Sequence, residues 1–590
     1  MTRALYRFHW FELLDALQEN DARVASLTLD EMMKAARSIG VRRLADYSRY
    51  ALHVARRAEQ SGKTGTAAKA YDAAIRLDDS SFDAAASRAS FLGRHGRLRE
   101  ALRAVSAAFS NLVGSAESRL SLASSFALSI IAALIAAAVA TVLGLFLRHA
   151  RRIAHDLRET ASRPFGHRAA APIAFVLLAL PIFLTFGPLW LLFYWAVLAY
   201  AYSARGERFA IGSSLLVLAL APIAIETIAR ENLVRRSPIY RAAVDLEERR
   251  EDFSVEDDLA SLAAAYPDQP DAWFLLARYA ERAGDNGRAL LAYGRAIQAD
   301  PKDYRPFVNR GNVRFLEGAY NEAISDYEEA TRRAPESAEA FYNLSVARSE
   351  IYDFKGQEQA RARALQISRR DVDSWSARPP LSRVVPASYP VENARERARL
   401  WSARASGRPS NLVPDLLEIA LSPWCLAPLG ALVAAWIFGA IRTRIGVATE
   451  CSRCGRAFCR RCKRYGGPVL FCERCVRVYA RKEEAGEEAR AADRRETARR
   501  LRRRRDLVRL GAVVVPGLSR FFAGRPWTGI AILFAFFLAV VLAVGGPWLF
   551  DLAPLAPSRA SLPGRLAAAT LALVLWLVGM TGAWRQTRES

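Results

Sequence analysis

The sequence predicts a mainly α-helical chain made of three kinds of part: blocks of helical repeats, a set of apolar helices, and a small module organised by cysteines. Three observations carry this reading. Two segments repeat small and aromatic residues every 34 positions, seven apolar runs with no charge near their middle reach the length of membrane helices, and six of the seven cysteines lie between Cys451 and Cys475. At 590 residues and 52% hydrophobic content, the chain is too long for one core and too apolar in places for a purely soluble protein.

In the first repeat block, about 44–112, Ala67, Tyr71 and Ala74 recur 34 residues later as Ala101, Val105 and Ala108. In the second, about 238–366, Trp273, Ala289, Tyr293, Ala296 and Pro301 recur as Phe307, Ala323, Tyr327, Ala330 and Pro335, again shifted by 34. This pattern resembles the tetratricopeptide repeat (TPR), in which small residues let two antiparallel helices close up, an aromatic fills their crevice and proline ends the second helix. A stack needs about three units for stability. The first block, with two, is therefore expected to lean on helices within residues 5–40. The product of either block is a curved helical surface for a protein partner.

Apolar runs fall at about 125–147, 170–186, 188–203, 209–228, 416–440, 527–550 and 563–584. They predict a seven-helix transmembrane part, the second and third runs joined as a hairpin at Gly187-Pro188. No run carries an ionisable residue near its middle, which disfavours an ion carrier. The predicted order is an N-terminal helical, TPR-like domain at 1–118, four membrane helices at 119–230, and a TPR domain at 238–366. A Pro/Arg/Ser-rich linker follows at 367–414, then a membrane helix at 416–440, a cysteine-rich module at 446–480, a charged helix at 481–510 and a terminal membrane hairpin at 511–590. Within the last part, the stretch Pro516 to Trp527 resembles the Pro-Gly entry turn of small two-span membrane modules.

Arginines choose the sides. Arg148, Arg151, Arg152, Arg158, Arg163 and Arg168, then Arg205 and Arg208, then the cysteine segment, then Arg585 and Arg588 all fall on one side of a seven-span chain. The positive-inside rule makes that side cytoplasmic and turns both repeat blocks outward, into a periplasm. Met1 to Ser48 has no apolar core of signal-peptide length, which conflicts with this orientation; a mis-assigned start codon that omits a signal sequence or a first span would resolve it.

The cysteines stand as Cys451/Cys454, Cys459/Cys462 and Cys472/Cys475. Thiols two residues apart point both sulfurs at one centre and suit tetrahedral Zn²⁺. Seventeen residues separate the outer pairs, a zinc-ribbon-like spacing that assigns one Zn²⁺ to Cys451, Cys454, Cys472 and Cys475. A competing set is Cys451 to Cys462 in one tight knot. The inner pair, Cys459 and Cys462, has no further cysteine or histidine downstream to complete a second zinc, and its role stays open between spare, redox-active and shared across a dimer. In this the module resembles a half-complete lipid-binding finger of the FYVE type. The seventh cysteine, Cys425, lies in an apolar run and reads as a small buried hydrophobe.

The net charge of +24 is uneven: Arg442 to Arg509 holds 22 Lys+Arg against 9 Asp+Glu, a surplus of 13. Arg456, Arg460, Arg461, Lys463 and Arg464 crowd the start of the module and are candidates to face anions or lipid head groups. Aromatic residues are sparse there, which ranks nucleic acid below lipid or protein docking. Enzyme motifs fail. Ser61-Gly62-Lys63-Thr64 ends like a phosphate loop, but Arg57 stands where that loop needs glycine.

The combination resembles bacterial inner-membrane, multi-pass proteins that join TPRs to a cysteine-rich module and a membrane hairpin. The resemblance implies a non-enzymatic, membrane-anchored scaffold or adapter that binds a protein partner through its repeats. The alternative is a membrane-tethered regulatory protein that binds nucleic acid or anionic lipid through the basic zinc module.

Overall fold

The computed structural model describes residues 3–183 apart from 39 and 115, and 188–377, 383–406, 417–459, 471–476, 478, 487–549 and 562–589. The chain forms two compact units, Met1–Arg119 with Arg230–Ser410, and Leu120–Ala229 with Asn411–Ser590.

In the first unit the 34-residue period becomes helical hairpins: Ala45–Gln60 with Thr64–Leu77, Phe82–Arg94 with Leu98–Gly114, and, after the apolar insertion, Pro270–Arg282 with Asn286–Ala299, Arg305–Leu316 with Tyr320–Arg333, and Ala338–Glu350 with Phe354–Ile367. The chain reverses between paired helices through a residue with positive φ. Gly62 and Gly96 serve in one block, and Gly284, Gly318 and Tyr352 in the other. Glycine takes that backbone without a Cβ clash, and Tyr352 holds it at φ 62° with a side chain. Ser81, Asp285, Ser337 and Asp353 cap helix starts by accepting from the N–H groups of Ala84, Arg288, Ala340 and Gly356. The alanines and tyrosines that carry the period, Ala289, Tyr293, Ala296, Ala323, Tyr327 and Ala330, are fully buried.

The two blocks are one unit. Strand Arg43–Leu44 pairs in parallel with Arg250–Glu251, in the register Arg43↔Arg250 and Leu44↔Glu251. Beside it the Arg49 guanidinium donates to buried Asp252 at 2.8 Å, and the rings of Tyr47 and Phe253 meet edge to face at 5.9 Å. Helices Arg3–Gln18 and Ala22–Ser38 supply Trp10, Leu13, Leu17, Leu29 and Met32 to the core of the first block. Two repeats thus do lean on what precedes them.

The described residues within 367–414 depart from the expected linker. They contain helix Arg369–Ser376, an extended stretch at 383–390 and helix Val391–Ser406. Val385 and Ala387 are buried, and so are Ala394, Ala398 and Trp401 on the following helix. Every second residue of the extended stretch turns inward, a strand-like period that its prolines obscure in sequence.

In the second unit four helices are long and apolar enough to cross a membrane among the described residues: Ala123–Leu178, Arg205–Arg236, Pro423–Arg442 and Pro526–Val544. Leu189–Tyr202 and Leu566–Thr581 are apolar but shorter. Seven spans were expected, and among the described residues four helices reach that length while these two fall short of it. A non-helical break at Gly166 (φ 74°, ψ 166°) separates the helix that carries the first run from the one that carries the run at 170–186 as far as Leu178. Residues 184–187 at its hairpin turn lie outside the described residues. The two runs still lie side by side: the Tyr194 hydroxyl donates to the Leu177 carbonyl at 2.9 Å and the Trp195 indole N–H to that of Leu178 at 3.0 Å.

Polar side chains knot the ends of these helices together. Buried Asp156 accepts, on Oδ2, from the Tyr202 hydroxyl at 2.8 Å, the Arg442 guanidinium at 2.6 Å and the Ala448 N–H at 3.1 Å. Arg152 donates to the carbonyls of Ala448 at 2.8 Å and Tyr202 at 3.0 Å. One turn earlier, His149 Nε2 lies 2.9 Å from Glu207 Oε2, and Arg148 reaches Glu207 at 3.1 Å and the Phe521 carbonyl.

The turn geometry is testable. Tyr352→Gly should raise the unfolding free energy by a few tenths to about 1 kcal/mol, since the exposed ring contributes little and the positive φ is relieved. Gly318→Val should lower it by about 1–2 kcal/mol. Urea unfolding followed by circular dichroism reads both.

Candidate metal centre and repeat groove

The cysteine module starts as a β-hairpin, Thr449–Glu450 paired antiparallel with Ala457–Phe458. Its tip is Cys451-Ser-Arg-Cys454-Gly455. Gly455, at φ 64°, folds the chain back so that its N–H donates to the Cys451 carbonyl at 2.9 Å. The Cys451 N–H in turn donates to the Arg456 carbonyl at 2.9 Å. Both sulfurs then point to the inside of the turn. They meet Cys472, which precedes the short helix Glu473–Cys475, and Cys475 at that helix's end.

All four cysteines are buried, and their sulfurs lie within 4.8 Å of one another. Cys454 and Cys472 sulfurs are 3.6 Å apart. That is far beyond a disulfide and close to the edge of a tetrahedron of sulfurs about 2.3 Å from a central ion, roughly 3.8 Å. The donor set fits a closed, four-thiolate metal site. Phe458 and Phe471 pack against it as a minimal core.

The thiols are not equivalent. Burial opposes ionisation of Cys451, but the N–H groups of Cys454, Cys472 and Arg453 aimed at its sulfur outweigh it and bring the thiol down to about 7. Burial pushes Cys454 up to about 11 and Cys475 higher still, the neighbouring sulfurs adding to it at Cys475. Without a cation, Cys454 and Cys475 hold their protons; a divalent ion removes the repulsion between thiolates.

Of the other predicted site residues, Cys459 is half-buried just after the hairpin, outside the four-sulfur cluster. Cys462, Arg460, Arg461, Lys463 and Arg464 lie outside the described residues. Arg456 does not simply face outward: it sits 3.5 Å from Glu496 on helix Glu487–Val514. Arg474 joins it there, at 2.8 Å from Asp493 and 2.6 Å from Glu496. The helix Glu487–Val514 thereby props the module.

The repeat unit holds a second arrangement, which sequence reading missed. Asn309 and Asn343, 34 residues apart and fully buried, each grip one residue of the 383–390 stretch by both of its backbone groups. The Asn343 carboxamide donates to the Val385 carbonyl at 2.7 Å and accepts from the Val385 N–H at 2.8 Å. Asn309 does the same to Ala387, at 3.2 and 2.8 Å. Asn312 adds a bond to the Val385 carbonyl at 3.0 Å, its own oxygen accepting from the Tyr327 hydroxyl at 2.8 Å and Asn343 at 2.9 Å. Tyr389 closes the end. Its hydroxyl donates to Asp271 at 2.6 Å, and its ring lies under the Arg305 guanidinium and beside Phe274. The 34-residue recurrence of the asparagines was a readable signal; their occupant was not.

Residues 256–304, which span most of the first hairpin after the insertion, match the profile of the tetratricopeptide repeat family. No curated protein matches the chain. Solved structures similar to it include the crystal structure of MamA, at 14% identity and TM-score 0.22 over 29% of this chain and 99% of that one. Yeast Tom70 is similar at 11% identity and TM-score 0.19, over 73% of this chain and 97% of its own. Likenesses at those scores carry no argument. The family match and the repeated hairpins establish that this chain contains tetratricopeptide repeats.

Proposed function

We propose that this protein is a membrane-anchored TPR scaffold whose repeat groove receives an extended peptide of a partner protein in exchange for its own segment 383–389. The observation that carries this is the paired reading of one strand's backbone by Asn309 and Asn343. Carboxamides that satisfy both backbone groups of a residue read main chain and not side chain. Selectivity then falls to the small buried sites of Val385 and Ala387 and to the Tyr389 site. The resident segment makes the groove self-occupied, so a partner has to compete with a tethered ligand.

The four exposed, long apolar helices support anchoring in a membrane. Both blocks share one unit through the Arg43–Arg250 strand pairing, so the chain leaves and returns to the same side. This requires an even number of crossings between residues 120 and 229, whether or not the short hairpin at 170–202 crosses. Pro423–Arg442 then carries the chain to the other side. The arginines at 148–168, 205–208 and 442–464 favour the cytoplasm of a bacterial inner membrane for the module, and the periplasm for the repeats. At the cytoplasmic face the four-cysteine centre binds one structural Zn²⁺, through Cys451, Cys454, Cys472 and Cys475. Exposed Arg502 and Arg503, shortly before the last hairpin, favour anionic lipid as a further contact and rank nucleic acid below it.

Two outcomes test this. A labelled peptide of residues 383–390 should show no binding to the intact protein in detergent. It should bind a Val385→Asp/Ala387→Asp variant, and lose at least about tenfold in affinity when Asn309 and Asn343 are also changed to leucine. Equal binding with and without the asparagines would sink the groove reading. For the zinc, binding has to expel at least the Cys454 and Cys475 protons, so affinity must fall with falling pH, by about a hundredfold or more per unit. Chelator competition at several pH values reads that slope, and a Cys451→Ser/Cys472→Ser variant should hold no ion at this centre.

A further inference from the structure

Cys459 is where the sequence left a question, and the fold brings it new company. The hairpin Thr449–Phe458 is docked on the long helix Ala116–Leu178 through its first residue's neighbour. Ala448 donates its N–H to Asp156 at 3.1 Å and accepts from Arg152 at 2.8 Å. These two main-chain bonds set the base of the hairpin beside the turn of helix that holds His155 and Asp156. Cys459, the first residue past the paired strand, then falls next to both. One nitrogen of His155, one carboxylate oxygen of Asp156 and the sulfur of Cys459 all lie within 4.8 Å of one another.

We propose that His155, Asp156 and Cys459 bind a second divalent metal ion, separate from the four-cysteine centre, and that the donor set selects zinc. One thiolate, one imidazole and one carboxylate are the three ligand types that Zn²⁺ takes together. Hard cations such as Mg²⁺ and Ca²⁺ avoid the sulfur and the nitrogen. A thiolate and a carboxylate also neutralise the ion's charge in a place where apolar helices end.

The surroundings of Asp156 suit a ligand. Its hydrogen bonds from Tyr202, Arg442 and Ala448 fall on Oδ2, which holds the carboxylate in place and leaves Oδ1 out of this set of bonds. Ligating carboxylates are held in this way by a second layer of donors. His155 and Asp156 come from the helix that follows the first apolar run, about 300 residues upstream of Cys459. A search for ligands downstream of the module could not meet them. Cys462, which lies outside the described residues, is not one of the three. The ion would fasten the cysteine module to the ends of the apolar helices, where the four-cysteine ion only organises the module within itself. The proposal is independent of what fills the repeat groove.

Metal content of the full-length protein, purified in detergent from zinc-supplemented cells, tests it by elemental analysis. The expected result is two zinc ions per chain, falling to one in His155→Gln and to one in Cys459→Ser. Cobalt substitution gives a second reading: Cys459→Ser should lose part of the sulfur-to-cobalt absorption and keep the four-sulfur spectrum. If Cys459→Ser empties both sites by unfolding the module, His155→Gln, which leaves the module's sequence untouched, decides. One ion remaining there supports the site. One ion in the unaltered protein, two ions in His155→Gln, or none in both variants would each overturn it.

Discussion

A carboxylate buried among the ends of apolar helices has to be matched by donors in place, and the second unit is organised around that requirement at Asp156. Leaving one partner of a buried ion pair unmatched costs about 3–5 kcal/mol. Asp156 is therefore held only in an arrangement that brings Tyr202, Arg442 and the Ala448 N–H to it together. Those three groups close one apolar helix, close another and open the cysteine module. Contacts between apolar helix faces are non-directional and specify register weakly. The polar knot supplies the register that apolar packing lacks, with His149, Glu207 and Arg148 repeating the device one turn away.

The repeat unit solves a different problem. Helical hairpins stacked by alanine and tyrosine bury three asparagines here, and buried asparagines need partners on all sides. Asn309, Asn312 and Asn343 find them in the backbone of Val385 and Ala387. A segment whose sequence is otherwise undistinguished becomes part of the core because its main chain completes those bonds. Pro386, which has no N–H, falls at the position between them that the asparagines do not read.

Much of this was legible in advance where the physics is local. Alanine and tyrosine at a 34-residue shift reported the hairpins, since each hairpin has the same crevice to fill. The outer cysteine pairs reported the four-sulfur cluster, since two residues between thiols set a turn. The extended segment escaped because its period of two runs over only Val385, Ala387 and Tyr389, among prolines that suggest a linker. Arg456 was read as anion-facing because Glu496, its partner, lies on a helix whose contact with the module no sequence pattern announces. Seven spans were expected from apolar length alone, while the first helix continues past its apolar run through Arg148 and Arg158, where polar side chains have a knot to make, and breaks at Gly166. The meeting of His155 with Cys459 is wholly tertiary.

The central claim is that Asp156 and its donors fasten the cysteine module to the apolar helices, and amide hydrogen exchange of the full-length protein in detergent tests it most directly. In Asp156→Asn, the account predicts loss of protection from Ala448 through Phe458, with protection of the repeat hairpins between Pro270 and Ile367 unchanged. Unchanged protection across Ala448 to Phe458 would contradict it.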